Sequence, residues 1–347
     1  MASPERSDSR IDLDDLAAAI EVYYAKGWTD GLPVVPPTEK SVRAMLDAAG
    51  LEPGREIVFI PDRQVSVVAQ KVAINAVMAG CRPEVMPVIV AALEALGDPR
   101  YGYHGPATST GGSAVFILVN GPIARKLGIN CGDNLFADGW RANATIGRAV
   151  RLVMRNVIGT LPGLLDRSTL GHAGKYTFCI AENEAESPWP PLHVERGFAP
   201  TQSAVTVFAA LAPHQFSNQL SNTAAGVLTT ACAQMRLSAG AGRQPQYVLV
   251  LAGEHMKVIA GDGYSKDDVR RYCFEHTQTS CAELKRIHVL PGEIDPEDET
   301  RMLPLVPAPE DFVVVAAGGR AGVHSAYIPG WGNRQKTESV TREIRQP

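Results

Sequence analysis

Apolar residues in this chain fall into short runs separated by polar, glycine-containing connections. The runs Ala114 to Val119, Tyr176 to Ile180, Ser203 to Ala209, Tyr247 to Leu251 and Phe312 to Val315 have the length of single strands. Two stretches share one format. In the first, the run ending at Val119 leads through Asn120-Gly121-Pro122 and Asp138-Gly139-Trp140 to a helical pattern over Arg141 to Arg155. The strand from Tyr176 follows and ends in Ala181-Glu182-Asn183-Glu184. In the second, Tyr247 to Leu251 leads through Ala252-Gly253-Glu254-His255 and Asp262-Gly263-Tyr264 to a helix over Ser265 to Glu275. The strand Phe312 to Val315 then ends in Ala316-Ala317-Gly318-Gly319. The pattern predicts an α/β or mixed α+β fold with internally duplicated strand-helix-helix-strand units. Equivalent strand ends would bring four loops to one place.

Upstream the period is helical. A helix is expected over Ile11 to Lys26, stopped by Gly27, and another over Lys40 to Ala49, capped by Thr38. Asp30 to Thr38 between them is extended, because prolines 33, 36 and 37 exclude helix there. Ser66 to Ala79 and Glu84 to Leu96 read as an apolar helical hairpin bent at Gly80-Cys81-Arg82-Pro83, with Pro83 in a first turn. Tyr101 to Gly112 reads as a long polar loop, Ser187 to Pro200 as a proline-rich insertion and Pro213 to Asn222 as a loop. Glu293 to Glu299 is an acidic surface excursion, and Arg334 to Pro347 a polar tail or subunit contact. The expected parsing is an N-terminal helical region (1–112), two α/β units (113–210 and 211–335) and a tail (336–347), all in one compact body.

Bulk properties narrow the function. At 347 residues the chain can bury a sizeable core. A net charge of -4 without a Lys/Arg cluster argues against nucleic acid as partner. No apolar run reaches the 18 or so residues of a membrane span, and Met1 to Arg10 lacks the apolar centre of a secretory signal, so a cytoplasmic protein is expected. The six cysteines show no CxxC spacing and read as free thiols.

Three clusters could carry chemistry. Cys81 sits beside Arg82 at a helix start, with Asn75 on the preceding helix, an environment that can lower a thiol pKa; a buried small residue at an elbow is the alternative. Glu182 and Glu184 would point the same way from a strand end and could move a proton, with Lys175, Asn183, His193 and Arg196 nearby; a solvated strand end is the alternative. Gly318, Gly319, Arg320, His324 and Ser325 form a glycine-rich turn suited to a small anion, or simply a turn. It matches neither nucleotide-binding glycine motif. His104 in the polar loop adds a hydrogen-bonding group. No HExxH, paired-cysteine or Asp-rich metal motif occurs, so no cofactor is predicted, although a metal held by scattered histidines stays open.

Several segments resemble an uncharacterised bacterial family. They are Asp30 to Thr38, Asn75 to Glu84, Gly139 to Arg148, and Gly174 to Glu184 with Ser187-Pro188-Trp189, and the similarity covers nearly the whole chain. Members of that family look like companions of a small protein with a Sec/Cys-Gly-Ser-Cys motif, itself similar to the selenoprotein subunits of glycine and proline reductases. The resemblance implies an enzyme component handling a small molecule, with a thiol or selenol partner protein. It singles out Cys81, Asn143, Lys175, Glu182, Asn183 and His324; serine is usual where Cys131 stands, and Cys232, Cys273 and Cys281 lie outside the shared segments.

The expectation is an enzyme, of lyase or hydrolase type, acting on a small polar and anionic molecule. Arg141, Lys175, Arg320 and the glycine turn would hold the anion, Glu182 or Glu184 would move a proton, and Cys81 would be the nucleophile. The alternatives are a non-catalytic substrate-binding or scaffold subunit and a metal-dependent hydrolase or lyase. A homo-oligomer is possible on either reading.

Overall fold

The structure, a computed structural model, describes residues 16–238, 242–333 and 337–347. The N-terminal region forms helices α1 (Leu16–Ala25) and α2 (Glu39–Ala48), the hairpin β1 (Glu56–Ile60) and β2 (Val65–Val68), and helices α3 (Ala69–Met78), α4 (Met86–Leu96) and α5 (His104–Thr108). There follow β3 (Ala114–Asn120), α6 (Pro122–Lys126), α7 (Arg141–Val153), β4 (Cys179–Ala181), α8 (Leu192–Glu195) and β5 (Ala204–Ala210). The remainder comprises β6 (His214–Ser217), α9 (Ala224–Met235), β7 (Tyr247–Leu251), α10 (Gly253–Gly261), α11 (Lys266–His276) and β8 (Thr279–Ser280). After these come α12 (Cys281–Arg286), β9 (Met302–Leu303), β10 (Phe312–Ala316), β11 (His324–Pro329) and β12 (Val340–Glu343).

Two four-stranded mixed sheets make the centre. The first has the order β12-β5-β3-β4 and the second β10-β7-β11-β6. In the first, β3 runs parallel to β4 and antiparallel to β5, which is antiparallel to β12. In the second, β7 runs parallel to β10 and antiparallel to β11, which is antiparallel to β6. The period of two then sorts side chains to opposite faces. Phe116 and Leu118 of β3 meet Val313 and Val315 of β10 in a core between the sheets, while Ile117 and Val119 turn toward α3, α4 and α7. Val314 and Ala316 likewise turn toward the core under α9, α10 and α11. The result is four layers, helix on sheet on sheet on helix, consistent with the α/β expectation.

Helix ends follow local chemistry. Thr38 with Ser41, and Ser265 with Asp268, form capping boxes that start α2 and α11. Gly147 on α7 is where the helix touches the chain entering β4: a Cβ there would lie 2.4 Å from the Thr177 hydroxyl and 2.7 Å from the Phe178 nitrogen. No larger residue fits this contact.

Several expectations change. Ser66 to Ala79 is strand β2 followed by α3, since the β-branched Val65–Val68 pairs back on Glu56–Ile60. The strand expected at Tyr176 begins at Cys179, the segment before it being a 3-10 turn over Ala173–Lys175. The polar loops 101–112 and 213–222 hold α5 and β6. Residues 11–15 of the first helix and 334–336 of the expected tail lie outside the described residues. The rest of that tail is no free end: Val340–Glu343 pairs with β5 as the edge of the first sheet.

Both sheets therefore receive their fourth strand from the other's connection. The chain leaves β5 and enters β6 in the second sheet; it leaves β11 and enters β12 in the first. At the crossing the Leu211 amide donates to the Pro329 carbonyl at 2.9 Å and the Trp331 amide to the Ala209 carbonyl at 2.8 Å. Arg196, just after α8, clamps the incoming strand by donating to the Thr341 hydroxyl at 2.8 Å and the Ser339 hydroxyl at 2.7 Å. Charged donors in such buried places contribute most when their acceptors have no substitute. Arg196→Ala is expected to lower the unfolding free energy in urea by about 2 kcal/mol, with Arg196→Lys recovering less than half, because one ammonium cannot span both hydroxyls.

Candidate functional site

The loops at the carboxyl ends of β3, β4, β7 and β10 do meet. Their centre is Glu182, whose side chain is 0% exposed. Its carboxylate accepts from Asn120 Nδ2 at 2.7 Å, from the Leu192 amide at 2.8 Å, from Lys266 Nζ at 2.9 Å and from the Ala316 amide at 3.4 Å. Asn183 adds a bond from its amide to the Ala316 carbonyl at 2.7 Å, and Gly253 donates to the Gly319 carbonyl at 3.1 Å. Glu184 converges on the same Asn120 nitrogen at 3.0 Å and takes the Gly121 amide at 2.6 Å. The two glutamates are thus neighbours, as their spacing on a strand end predicts. Their roles differ.

A carboxylate given three close donors and a fourth at 3.4 Å has little lone-pair capacity left to offer a substrate, so the geometry of Glu182 is that of a fastener, whereas the sequence suggests a proton carrier. Glu184 keeps one oxygen outward and is 28% exposed. Behind it lies His193, fully buried, its Nδ1 3.8 Å from Glu184 Oε1. Arg320 reaches out from the glycine turn to Glu186 at 2.5 Å with an 81% exposed side chain. His324 is exposed at the start of β11, whereas Ser325 is buried beside α10.

The Cys81 cluster stands elsewhere and does not support a nucleophile. The thiol is buried at the elbow after α3 and donates to the Thr145 carbonyl at 3.3 Å; burial pushes its pKa up to about 12. The nearby guanidinium of Arg141 spends two donors on the Gly80 carbonyl, at 3.0 and 2.8 Å. Arg82 is exposed, and Asn75 is buried, its side chain bonded to the Lys71 carbonyl and to Asn156. Asn143 is likewise structural: its amide bridges Asn130 to the Cys179 carbonyl. His104 is exposed in the first turn of α5.

Lys175 lies at the opposite, amino end of β3 and β4. Ala114 and Asn120 mark the two ends of β3, about 20 Å apart at ~3.3 Å per residue, so Lys175 and Glu182 cannot serve one small substrate. At this end Tyr101, Tyr103, Ser113, Arg151, Asp166 and Lys175 line a cavity with about 20 Å³ of room for water centres, enough for a water or the head of a small anion. Lys175 Nζ donates to both Asp166 oxygens, at 2.9 and 2.7 Å, and to the Ser168 hydroxyl at 2.5 Å. Arg151 donates to Asp166 at 2.8 Å, and the Tyr103 hydroxyl meets that of Thr160 at 2.7 Å. Burial works against the charge on Asp166, yet its hydrogen bonds to Lys175 and Ser168 win and hold it far below the usual carboxylate range. Burial draws Lys175 below the ordinary lysine value, with Asp166 pulling the other way. Burial also pushes Tyr103 up to about 12 and lowers His172, whose Nδ1 accepts from the Gly174 amide.

No family model, no curated protein and no solved structure matches the chain.

Arg151, Asp166, Ser168 and Tyr103 went unnoticed in sequence. A trace existed for Arg151, which follows Gly147 by one helical turn and so shares the inward face of α7. Asp166 sits in an irregular connection and left none. Among the described residues no group of three or more His, Cys, Asp or Glu side chains could hold a metal ion.

Two outcomes are expected. Iodoacetamide at neutral pH should alkylate the half-buried Cys131 ahead of Cys81, with Cys81 slower than a model thiol by more than about tenfold, as peptide mapping would read. Glu182→Ala should destabilise the fold by about 3–5 kcal/mol by leaving the Lys266 ammonium buried beside too few acceptors, whereas Glu184→Ala should cost less than about 1.5 kcal/mol in the same denaturation experiment.

Proposed function

We propose that the chain is an enzyme, or an enzyme subunit, that holds a small anionic molecule in the cavity at the amino ends of β3 and β4 and cleaves or adds across one of its bonds. The observation that supports this reading is the charge of the wall: Arg151 and Lys175 bring two cations to the single carboxylate of Asp166. A second anion arriving there would be drawn by the surplus charge in a place where burial weakens screening. Lys175, drawn below the ordinary lysine value, would hand a proton to the bound molecule by giving up one of its three bonds to Asp166 and Ser168, and Ser168 links it to Asp166 through a hydroxyl 2.5 Å from each.

The proposal moves the centre of the chemistry away from Cys81 and Glu182. With Cys81 buried and its thiol pKa pushed up, thiol chemistry supplied by a separate protein would suit the partner that the resemblance implies. A non-catalytic binding subunit predicts the same cavity without turnover.

Calorimetric titration with acetate, malonate, succinate and inorganic phosphate tests the binding. At least one should bind, with the affinity falling tenfold or more, about 1.4 kcal/mol, in both Arg151→Gln and Lys175→Met and staying within twofold in Glu184→Gln. Binding indifferent to Arg151 and Lys175 overturns the assignment. Loss of a substrate signal by NMR with the tightest-binding class separates an enzyme from a binding subunit.

A further inference from the structure

The second sheet carries a pair that the cavity does not use. Ser325 lies at the start of β11, and His255 in the first turn of α10, both buried. The Ser325 hydroxyl is 2.8 Å from His255 Nδ1, and His255 Nε2 is 3.2 Å from the Asn218 carbonyl. A carbonyl can only accept, so Nε2 bears the hydrogen and the neutral ring leaves Nδ1 as the acceptor of the serine proton. Burial lowers the pKa of His255, which favours that neutral form. Phe216 stacks on the imidazole at 5.6 Å between ring centres and fixes its plane. The orienting part played by a carboxylate in a serine triad falls here to a backbone carbonyl.

The surroundings fit the same chemistry. The Ala252 amide donates to the Ser325 hydroxyl at 3.1 Å, placing that oxygen against the start of α10. Ala252 gives no side-chain cap, and the nine-residue helix leaves first-turn amides of Glu254 and His255 without helical acceptors. Amides of this kind, at the start of a helix, are the class of donor that holds an oxyanion. The glycine turn lies over this place, tied to it by Gly253 to the Gly319 carbonyl at 3.1 Å and by Gly322 to Glu254 at 2.9 Å.

We propose that Ser325 and His255 form a nucleophile and base that transfer the acyl group of a small ester to water. The serine oxygen bonds to the carbonyl carbon while its proton passes to Nδ1. The bond to the alcohol then breaks, the alcohol leaving with the electron pair and taking that proton. Water repeats the exchange, losing a proton to Nδ1, and the serine recovers it as the acid departs. No oxidant or further reactant is required.

The test is labelling of the full chain with a fluorophosphonate, read by peptide mass spectrometry, alongside hydrolysis of p-nitrophenyl acetate. The expected result is one adduct on the peptide carrying Ser325, absent in Ser325→Ala and slowed at least about 100-fold in His255→Asn, with ester hydrolysis falling in parallel. A merely structural hydrogen bond would give no adduct and would show itself as lost stability in both variants. An unlabelled Ser325 after an exposure that fully labels a serine esterase, or labelling at the same rate without His255, overturns the proposal.

Discussion

The buried charge of Glu182 is the constraint around which this molecule is arranged. An ionised carboxylate out of water needs several donors, and no single element can supply them. Here they come from the end of β3, the first residue of α8, the first residue of α11 and the last residue of β10. Lys266 continues the chain of charges to Glu195 at 3.1 Å, and Glu195 to Arg270 at 2.8 Å, whose Nε in turn holds the Phe312 carbonyl. Both sheets and the helices outside them are thereby registered to one point. Apolar packing between the sheets sets the distance between them but would tolerate sliding; the carboxylate does not.

How much of this was legible in the sequence depends on the length of each signal. Runs such as Ala114 to Val119 and Tyr247 to Leu251 declare themselves, because a strand buried on both faces is apolar at every position. The edge strands β6 and β12 do not, since His214-Gln215-Phe216-Ser217 and Val340-Thr341-Arg342-Glu343 are four residues long and mostly polar. What makes them strands is the neighbouring edge. Sequence also brought Glu182 and Glu184 together correctly, through the period of two, yet could not see that Asn120 and Lys266 saturate one of them. The separation of Lys175 from Glu182 was hidden for a similar reason: seven residues apart in sequence, they sit on opposite sides of a strand that had to cross the core.

The two ends of the parallel strands consequently have different characters. At the carboxyl ends, polar groups are largely spent on one another and hold the loops in register. At the amino ends, Arg151, Asp166 and Lys175 surround a space that side chains leave open, and Gly147 and Gly174 border it where larger residues would collide with Thr177 or His172. A glutamate is therefore deeply buried and bonded on every side while a lysine of the same unit faces a cavity.

The exchange of fourth strands has a consequence in time. On a ribosome, β5 emerges with one side unpaired and stays so until every strand of the second sheet has been made, because the segment that covers it follows β11. An unpaired edge is a template for other chains. The first sheet of a nascent chain is thus exposed to mispairing while everything between β5 and β12 is made, and closure of β12 over β5 becomes a natural last step, one that turns a sticky intermediate into a finished protein.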